Sequence, residues 1–188
     1  MKTVVIDNFD SFTYNLVRYI QMASKEKPTV YRNNDFEMED LDCYDVIILS
    51  PGPGLPKEAG KMMEVLKRYA STKKILGVCL GHQAIAEHFG CQLKQLDEVK
   101  HGIASPLTLL NTNGLFQNIE NKTLVGRYHS WAVSKLNFSK ELIVTASTDD
   151  NTIMAIKHCS LPIYGVQFHP ESILTKEGIE IINNFYKI

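Results

Sequence analysis

The chain has 188 residues, of which 44% are hydrophobic and 22% are charged, a composition that suffices for one substantial core but hardly for two. We therefore expect a single domain covering residues 1–188. Twenty Lys and Arg residues are scattered among twenty-one acidic residues, so the formal net charge is −1 and a basic surface for nucleic acid is not expected.

The first half of the chain alternates between apolar strands and amphipathic helices. Strands are predicted at residues 3–7, 29–32, 44–50 and 74–79, and helices at 11–23, 58–71 and 81–89. Ser11 is the expected N-cap of the first helix. This order predicts an α/β fold with a doubly wound, mixed but mainly parallel central sheet flanked by helices. Sites in such sheets collect where strands end, so segments 7–11 and 50–54 should meet residue 79 in one crevice.

The third predicted strand leads into the loop Ser50-Pro51-Gly52-Pro53-Gly54. Proline has no backbone N–H, so the amide donors of residues 51–54 belong to Gly52 and Gly54, which also lack obstructing side chains. With the N–H of Leu80, the N–H of Gly52 is suited to hold the oxyanion of a tetrahedral intermediate. A simple Pro-Gly turn is the alternative, and a phosphate-binding loop is disfavoured because the Lys-Ser/Thr ending is absent.

Residues 77–81 read Gly-Val-Cys-Leu-Gly between an apolar strand and a helix-like stretch. This pattern is typical of a nucleophile elbow, in which flanking glycines permit a sharp turn and the central residue is strained. Cys79 would then lie at a helix N-terminus, where unpaired N–H groups and the macrodipole favour the reactive thiolate. The alternative is that Cys79 is a small apolar residue at the end of a buried strand.

Beyond residue 105 the pattern changes to short β segments followed by one helix. Strands are predicted at residues 107–110, 124–128, 142–147, 153–157 and 163–168, and the helix at 175–187. These strands should complete the sheet in antiparallel or mixed pairing. Residues 149–151 read as a hairpin connection, and Asp149 and Asp150 as part of a solvated turn in preference to a catalytic carboxylate pair.

A histidine and a carboxylate lie two positions apart in Gly165-Val166-Gln167-Phe168-His169-Pro170-Glu171. Residues two apart in an extended segment share a side, and Pro170 disfavours helical geometry at His169. Glu171 is therefore placed to orient the His169 imidazole. A thiol, a base and an orienting carboxylate are the parts of an activated nucleophile, here in the chain order Cys79, His169, Glu171.

These motifs resemble those of the class I, or triad, glutamine amidotransferases, and the resemblance covers the whole chain. The stretch Ile6-Asp7-Asn8-Phe9-Asp10-Ser11-Phe12-Thr13-Tyr14-Asn15-Leu16 is similar to the chorismate branch, the small subunits of anthranilate synthase and aminodeoxychorismate synthase. The resemblance implies hydrolysis of L-glutamine through a thioester on Cys79, with His169 as base and then acid and Glu171 orienting it. It also implies an oxyanion hole and a glutamine site made by Gly52, Leu80, Pro53, Gly54, Gln83, Ser130 and Trp131.

The resemblance further implies a partner, because nothing in the chain reads as a second catalytic domain that would consume ammonia. That partner is a chorismate-binding synthase subunit in a hetero-oligomer, and a Mg²⁺ requirement is expected only there, with no cofactor in this chain. Gly126-Arg127-Tyr128-His129-Ser130 favours anthranilate synthase and tryptophan biosynthesis. Aminodeoxychorismate synthase and folate biosynthesis, or service to both enzymes, stay open. Relatives usually carry lysine at Ile103 and leucine at Trp131.

Two other classes of function are weighed against this one. A stand-alone γ-glutamyl hydrolase would use the same triad without a partner, but the chorismate-type N-terminal motif argues against it. A non-catalytic regulatory subunit is disfavoured because Cys79, His169 and Glu171 are all present.

The remaining sequence features concern the cellular location of the protein, the state of its cysteines and the presence of a metal site. The apolar run at the N-terminus is too short for a signal peptide and no eighteen-residue apolar span occurs, so we expect a cytoplasmic protein with no membrane contact. The four cysteines, at 43, 79, 91 and 159, form no CxxC pair and are read as reduced thiols. No second ligand pair at zinc spacing accompanies Cys79 and His82, so no metal site is predicted.

Overall fold

The computed structural model describes all of residues 1–188. Its helices and strands run in the order β1 (Thr3–Asp7), α1 (Thr13–Ser24), β2 (Thr29–Arg32), β3 (Val46–Leu49), α2 (Met62–Tyr69), β4 (Lys74–Val78), α3 (Leu80–His88), β5 (Leu93–Leu109), β6 (Leu124–Val133), β7 (Leu142–Thr148), β8 (Ile153–His158), β9 (Ile163–Val166) and α4 (Gly178–Lys187). None of the helices combines the length and apolar character that crossing a membrane requires.

All nine strands belong to one sheet with the order β2-β1-β3-β4-β9-β8-β7-β5-β6. The pairs from β2 through β1, β3 and β4 to β9 are parallel, and those from β9 through β8, β7 and β5 to β6 are antiparallel. The doubly wound, mixed α/β fold is thus confirmed. The last strand in the chain lies in the middle of the sheet, directly beside β4.

Two apolar layers cover the two faces of the sheet. Alternate residues of β1 divide between them, since Val4 and Ile6 join the layer under α2 and α3, whereas Val5 joins the layer under α1 and α4. Leu16 and Ile20 of α1 are fully buried in the second layer. Each such side chain contributes about 1.5–3 kcal/mol by leaving water. Packing in these two layers holds the strands in place, and the candidate site residues follow the ends of those strands.

Three predicted helix starts are corrected by the structure. Helix α4 begins at Gly178, three residues later than predicted. Helix α1 begins at Thr13, and Ser11 does not cap it; the Asp10 carboxylate instead accepts the N–H of Phe12. Helix α2 begins at Met62, four residues later than predicted, because residues 56–58 form a separate turn of 3-10 helix. Gly60 follows that turn at a φ of +52°, which helical residues do not adopt.

Strand β5 is much longer than the predicted strand at 107–110. Its first part pairs with β6 as a largely exposed two-stranded ribbon, and only residues 107–109 pair with β7. The exposed ribbon carries Lys94, Asp97, Glu98 and Lys100 and therefore lacks the apolar alternation by which strands are predicted. Strand β6 likewise continues to Val133, so Ser130 and Trp131 lie on a strand.

Candidate active site

Cys79 stands at a strained turn between β4 and α3. Its backbone has a φ of +51° and a ψ of −98°, a conformation that non-glycine residues rarely adopt. The turn is tight enough that a Cβ on Gly77 would lie 2.4 Å from the backbone of Gly81, and one on Gly81 would lie 2.4 Å from the carbonyl oxygen of Leu49. The two glycines therefore permit the nucleophile elbow that the sequence predicts.

The pairing of β4 with β9 brings the two distant motifs together. The N–H of Cys79 donates to the carbonyl of Val166, at 2.8 Å, at the end of this strand pair. His169 follows three residues later, and its N–H donates to the carbonyl of Gly126 on β6. Its Nδ1 lies 2.7 Å from Oε1 of Glu171. The thiol, imidazole and carboxylate thus lie at the carboxyl ends of neighbouring strands.

His169 and Glu171 are almost completely buried, at 2% and 4% exposure. Because Nδ1 faces Glu171, Nε2 is the atom left for the sulfur; it makes no well-aligned hydrogen bond within the chain. Burial alone would lower the pKa of His169, but the adjacent Cys79 sulfur and the Glu171 carboxylate raise it to about 11. A raised pKa at the base favours a thiolate–imidazolium pair.

A cavity of about 160 Å³ opens beside Cys79. Its wall includes every residue that the sequence predicts for the oxyanion hole and for glutamine: Gly52, Pro53, Gly54, Leu80, Gln83, Ser130 and Trp131. Tyr128 and His129 complete the wall. Segments that are far apart in the chain therefore meet at one pocket, and the roles assigned to these residues remain predictions.

The bare amide at Gly52 is held in place by the N-terminal motif. A Cβ on Gly52 would lie 2.5 Å from Cβ of Asn8 and 2.9 Å from Cδ2 of Leu80, so no side chain fits there. Asn8 is fixed in turn, because its N–H donates to the hydroxyl of Ser50 and its amide donates to the Ser50 carbonyl. The Gly52 N–H donates to no carbonyl of the chain and stays available to a ligand.

An aromatic group covers the base. The Tyr128 ring lies 5.0 Å from the His169 ring and the Phe12 ring 5.6 Å from it. The ring of His101, on the exposed β5 ribbon, lies 5.7 Å from the Tyr128 ring in a T-shaped arrangement. The exposed ribbon is therefore connected to His169 through two successive ring contacts, His101 with Tyr128 and Tyr128 with His169.

Residues 4–188 match the family described as glutamine amidotransferase class-I. The chain belongs to this family. It is 43% identical over 184 residues to anthranilate synthase component 2 of Lactococcus lactis, covering 97% of this chain and 92% of that protein. It is 41% identical over 184 residues to aminodeoxychorismate/anthranilate synthase component 2 of Bacillus subtilis, covering 97% and 94%.

A third relative of this amidotransferase is longer. The chain is 40% identical over 190 residues to the bifunctional protein TrpGD of Thermotoga maritima and spans 32% of its length. Among solved structures, a protein of Thermoplasma acidophilum described as part of a GMP synthase superimposes with a TM-score of 0.88 at 25% identity, covering 100% of this chain and 92% of that one. The amidotransferase fold therefore matches along its entire length.

A chain of hydrogen bonds supports the pocket wall of the amidotransferase. The Trp131 carbonyl accepts Nε2 of Gln83 at 2.8 Å and pairs with Nδ1 of His129 at 2.9 Å. On the far side of His129, Nε2 accepts the Nε–H of buried Arg127. Trp131 is held through its main chain, so these contacts do not depend on the identity of its side chain. Ile103 is 44% exposed on β5, opposite Arg127, and does not line the cavity.

The sequence assigned no role to Arg127 or Gln167, and both lie in this network. Arg127 is 2% exposed and Gln167 fully buried, with the Gln167 amide 3.5 Å from the Cys79 sulfur. Arg127 stands next to the predicted pocket segment, and Gln167 stands two residues before His169. Their position beside the motifs was the available signal, but only coordinates reveal which way such side chains point.

The turn at 149–151 connects β7 and β8 in antiparallel pairing, as predicted. Its two carboxylates do not form a pair, because Asp149 contacts Lys122 and Asp150 contacts Arg127 at 2.8 Å. Burial would raise the pKa of Asp150, but hydrogen bonds from Thr148, Arg127 and Thr152 lower it well below its usual range. Asp150 is thus the counterion of a buried cation and is more than a solvated turn residue.

We expect the substitution Asp150→Asn to lower the free energy of unfolding by about 1 kcal/mol at pH 7, a value reduced for the partial exposure of Asp150. Since the folded-state pKa is the lower one, this stabilisation exists above pH about 4 and fades as the pH falls toward that pKa. Urea denaturation between pH 7 and pH 3 measures it. Asp149→Asn, at an exposed pair, is the control, and an equal loss in both variants would contradict the assignment.

Proposed function

We propose that this chain is the glutamine-hydrolysing subunit of anthranilate synthase and supplies ammonia to a chorismate-binding subunit. One observation carries the proposal: Cys79, on a strained elbow, lies beside the buried His169–Glu171 pair and lines a cavity together with Gly52 and Leu80. Covalent acyl transfer needs a nucleophile, a base, an orienting carboxylate and donors for an oxyanion, and the site contains candidates for each.

In the proposed reaction the Cys79 thiolate attacks the side-chain carbonyl carbon of glutamine. The resulting oxyanion is stabilised by the N–H groups of Gly52 and Leu80. His169, which holds the thiol proton, donates it to the leaving nitrogen, so ammonia departs and a glutamyl thioester remains. His169 then takes a proton from water, the hydroxide attacks the thioester, and the proton returns to Cys79 as glutamate leaves. Glu171 holds the imidazole throughout.

Recognition of glutamine is assigned to the pocket wall. Both N–H groups of the Gln83 amide are engaged, one by the Trp131 carbonyl and one by Gln167. Its Oε1 has no hydrogen-bond partner in the chain. Since Gln83 lines the cavity, we assign this oxygen as the acceptor for the α-ammonium group of the substrate. Pro53, Gly54 and Ser130 line the same space and complete the proposed site.

A partner must consume the ammonia. Curated relatives carry the name component 2, which denotes one part of a synthase, and the Thermotoga maritima relative is bifunctional. We propose residues 1–188 as one amidotransferase domain, since a single sheet runs through them, with the synthase docking near the β5 ribbon that reaches the base through His101 and Tyr128. The unpaired cysteines fit a reducing compartment such as the cytoplasm.

Aminodeoxychorismate synthase is the second candidate, because the Bacillus subtilis relative carries both names. Purified chain should be mixed with the chorismate-binding partner of either enzyme and assayed for glutamine-dependent formation of anthranilate or aminodeoxychorismate. We expect weak ammonia release from glutamine by the isolated chain and a marked increase with the proper partner. Fast, partner-independent turnover, or preferential cleavage of γ-glutamyl peptides, would instead indicate a stand-alone hydrolase. Absence of turnover in the complex would indicate a regulatory subunit.

A further inference from the structure

The buried amide of Gln167 faces the nucleophile. Gln167 follows β9, is fully buried, and its N–H is anchored to the Met154 carbonyl on β8 at 2.8 Å. Its side-chain Nε2 lies 3.5 Å from the Cys79 sulfur and its Oε1 lies 3.1 Å from Nε2 of Gln83. The reaction described above assigns this side chain no task.

The orientation of the Gln167 amide follows from its neighbours. The Trp131 carbonyl only accepts hydrogen bonds, so the group of Gln83 that lies 2.8 Å from it must be the N–H₂. The second hydrogen of that nitrogen reaches Gln167, whose facing atom must then be the oxygen. The nitrogen of Gln167 is consequently the atom beside the sulfur.

The hydrogen bonds of His129 are consistent with the Trp131 carbonyl as an acceptor. The Arg127 guanidinium only donates, so Nε2 of His129 is the acceptor and Nδ1 carries the proton that points to Trp131. Arg127 itself is held by Asp150. A continuous set of hydrogen bonds thus joins the surface carboxylate of Asp150 to the Gln167 amide. Its midpoint is the Trp131 carbonyl, which accepts from both His129 and Gln83.

We propose that Gln167 donates a hydrogen bond from its Nε2 to the Cys79 thiolate and thereby stabilises the nucleophile in its reactive form before glutamine binds. A donor that meets sulfur stabilises the anion more than the neutral thiol, so losing it shifts the balance toward the thiol. Gln167 does not line the cavity and therefore acts on the nucleophile without holding the substrate. This inference deepens the proposed function and rests on it.

Other titratable groups near the sulfur do not obscure the titration of Cys79. His169, with Glu171 behind it, faces the sulfur directly. Burial lowers the pKa of His129 on β6 to about 4 and that of His82 on α3 to about 3, so both stay neutral at assay pH. The pH dependence of Cys79 alkylation above pH 5 is therefore assigned to the Cys79–His169 pair and its hydrogen-bond donors.

The test measures the rate of Cys79 alkylation by iodoacetamide from pH 5 to pH 10, with peptide mass spectrometry separating Cys79 from the exposed Cys43 and Cys159. In Gln167→Met, which matches the shape of the side chain, we expect a midpoint about one pH unit higher and alkylation about tenfold slower at pH 7. Glutamine turnover should fall in kcat by up to about tenfold. Any rise in KM should be smaller than the fall in kcat, because Gln83 keeps its hydrogen bond to the Trp131 carbonyl when its bond to Gln167 is lost.

Two further variants keep the outcome decisive. Gln167→Asn retains a buried amide but withdraws it from the sulfur by one methylene, and should shift the midpoint in the same direction. Asn184→Leu removes a buried amide that serves the carbonyls of Leu115 and Gln117, and should cost stability without moving the midpoint.

An unchanged midpoint in either folded Gln167 variant would overturn the proposal, as would a KM effect without one on kcat. Alkylation needs no glutamine, so the two proposals fail separately. A wild-type chain that never hydrolyses glutamine, even with its partner, overturns the proposed function alone.

Discussion

Replacing Cys79 by serine is expected to abolish glutamine-dependent synthesis by the assembled enzyme, with a loss of at least about 10⁴-fold. A hydroxyl at this elbow keeps the geometry but is a far weaker nucleophile than a thiolate near neutral pH. Synthesis from added ammonium salts should continue at the wild-type rate, because the nucleophile is needed only to liberate nitrogen. Product formation with each nitrogen source gives the measurement.

Cys159→Ser is the matched control, since this exposed thiol lies outside the cavity and should leave both activities unchanged. Loss of ammonium-dependent synthesis in Cys79→Ser would mean that the substitution damages the partner or the complex. That result would contradict the division of labour between the two subunits.

Replacing His169 by asparagine should lower kcat for glutamine hydrolysis by about 10³-fold, because one imidazole is asked both to accept the thiol proton and to protonate the departing ammonia. In the wild type, Glu171 and the Cys79 sulfur hold that imidazole in its charged form by raising its pKa to about 11. Without it, Cys79 alkylation should require a higher pH. Steady-state ammonia release and the alkylation profile together measure the effect.

His158→Asn serves as the control for this substitution. His158 is also buried, but its Nδ1 accepts the N–H groups of Ser160 and Leu161 at the opposite end of the neighbouring strand. That variant should lose stability at most. If His169→Asn retained kcat within tenfold of the wild type, another group would have to be the base.

The sequence predicts those parts of the fold in which a local residue pattern is compatible with only one type of local structure. Apolar strands alternating with amphipathic helices indicate the parallel half of the sheet, and the glycines at 77 and 81 indicate the elbow because no side chain fits there. The exposed part of β5 escapes prediction, since its stability comes from pairing with β6 and not from an apolar face.

The site divides in the same way. Local motifs in the sequence indicate the chemical roles of Cys79, His169 and the Gly52 loop. The sequence alone gives no distance between them. Arg127 and Gln167 stand within segments 126–130 and 165–171, but those sequences assign them no chemical role. Their importance arises from side-chain directions fixed by the packed β6 and β9 segments. Even Asp150, which reads as an ordinary turn residue, gains its role only because Arg127 is buried against it.

The position of β9 between β4 and β8 determines when, during folding, the protein can begin to hydrolyse glutamine. Cys79 follows β4 and His169 follows β9, two strands that are adjacent in the sheet but come from opposite halves of the polypeptide. A molecule in which β9 has not yet paired with β4 therefore has the Cys79 thiol without its base. During refolding, glutamine hydrolysis should therefore not begin before β9 pairs with β4 at the centre of the sheet.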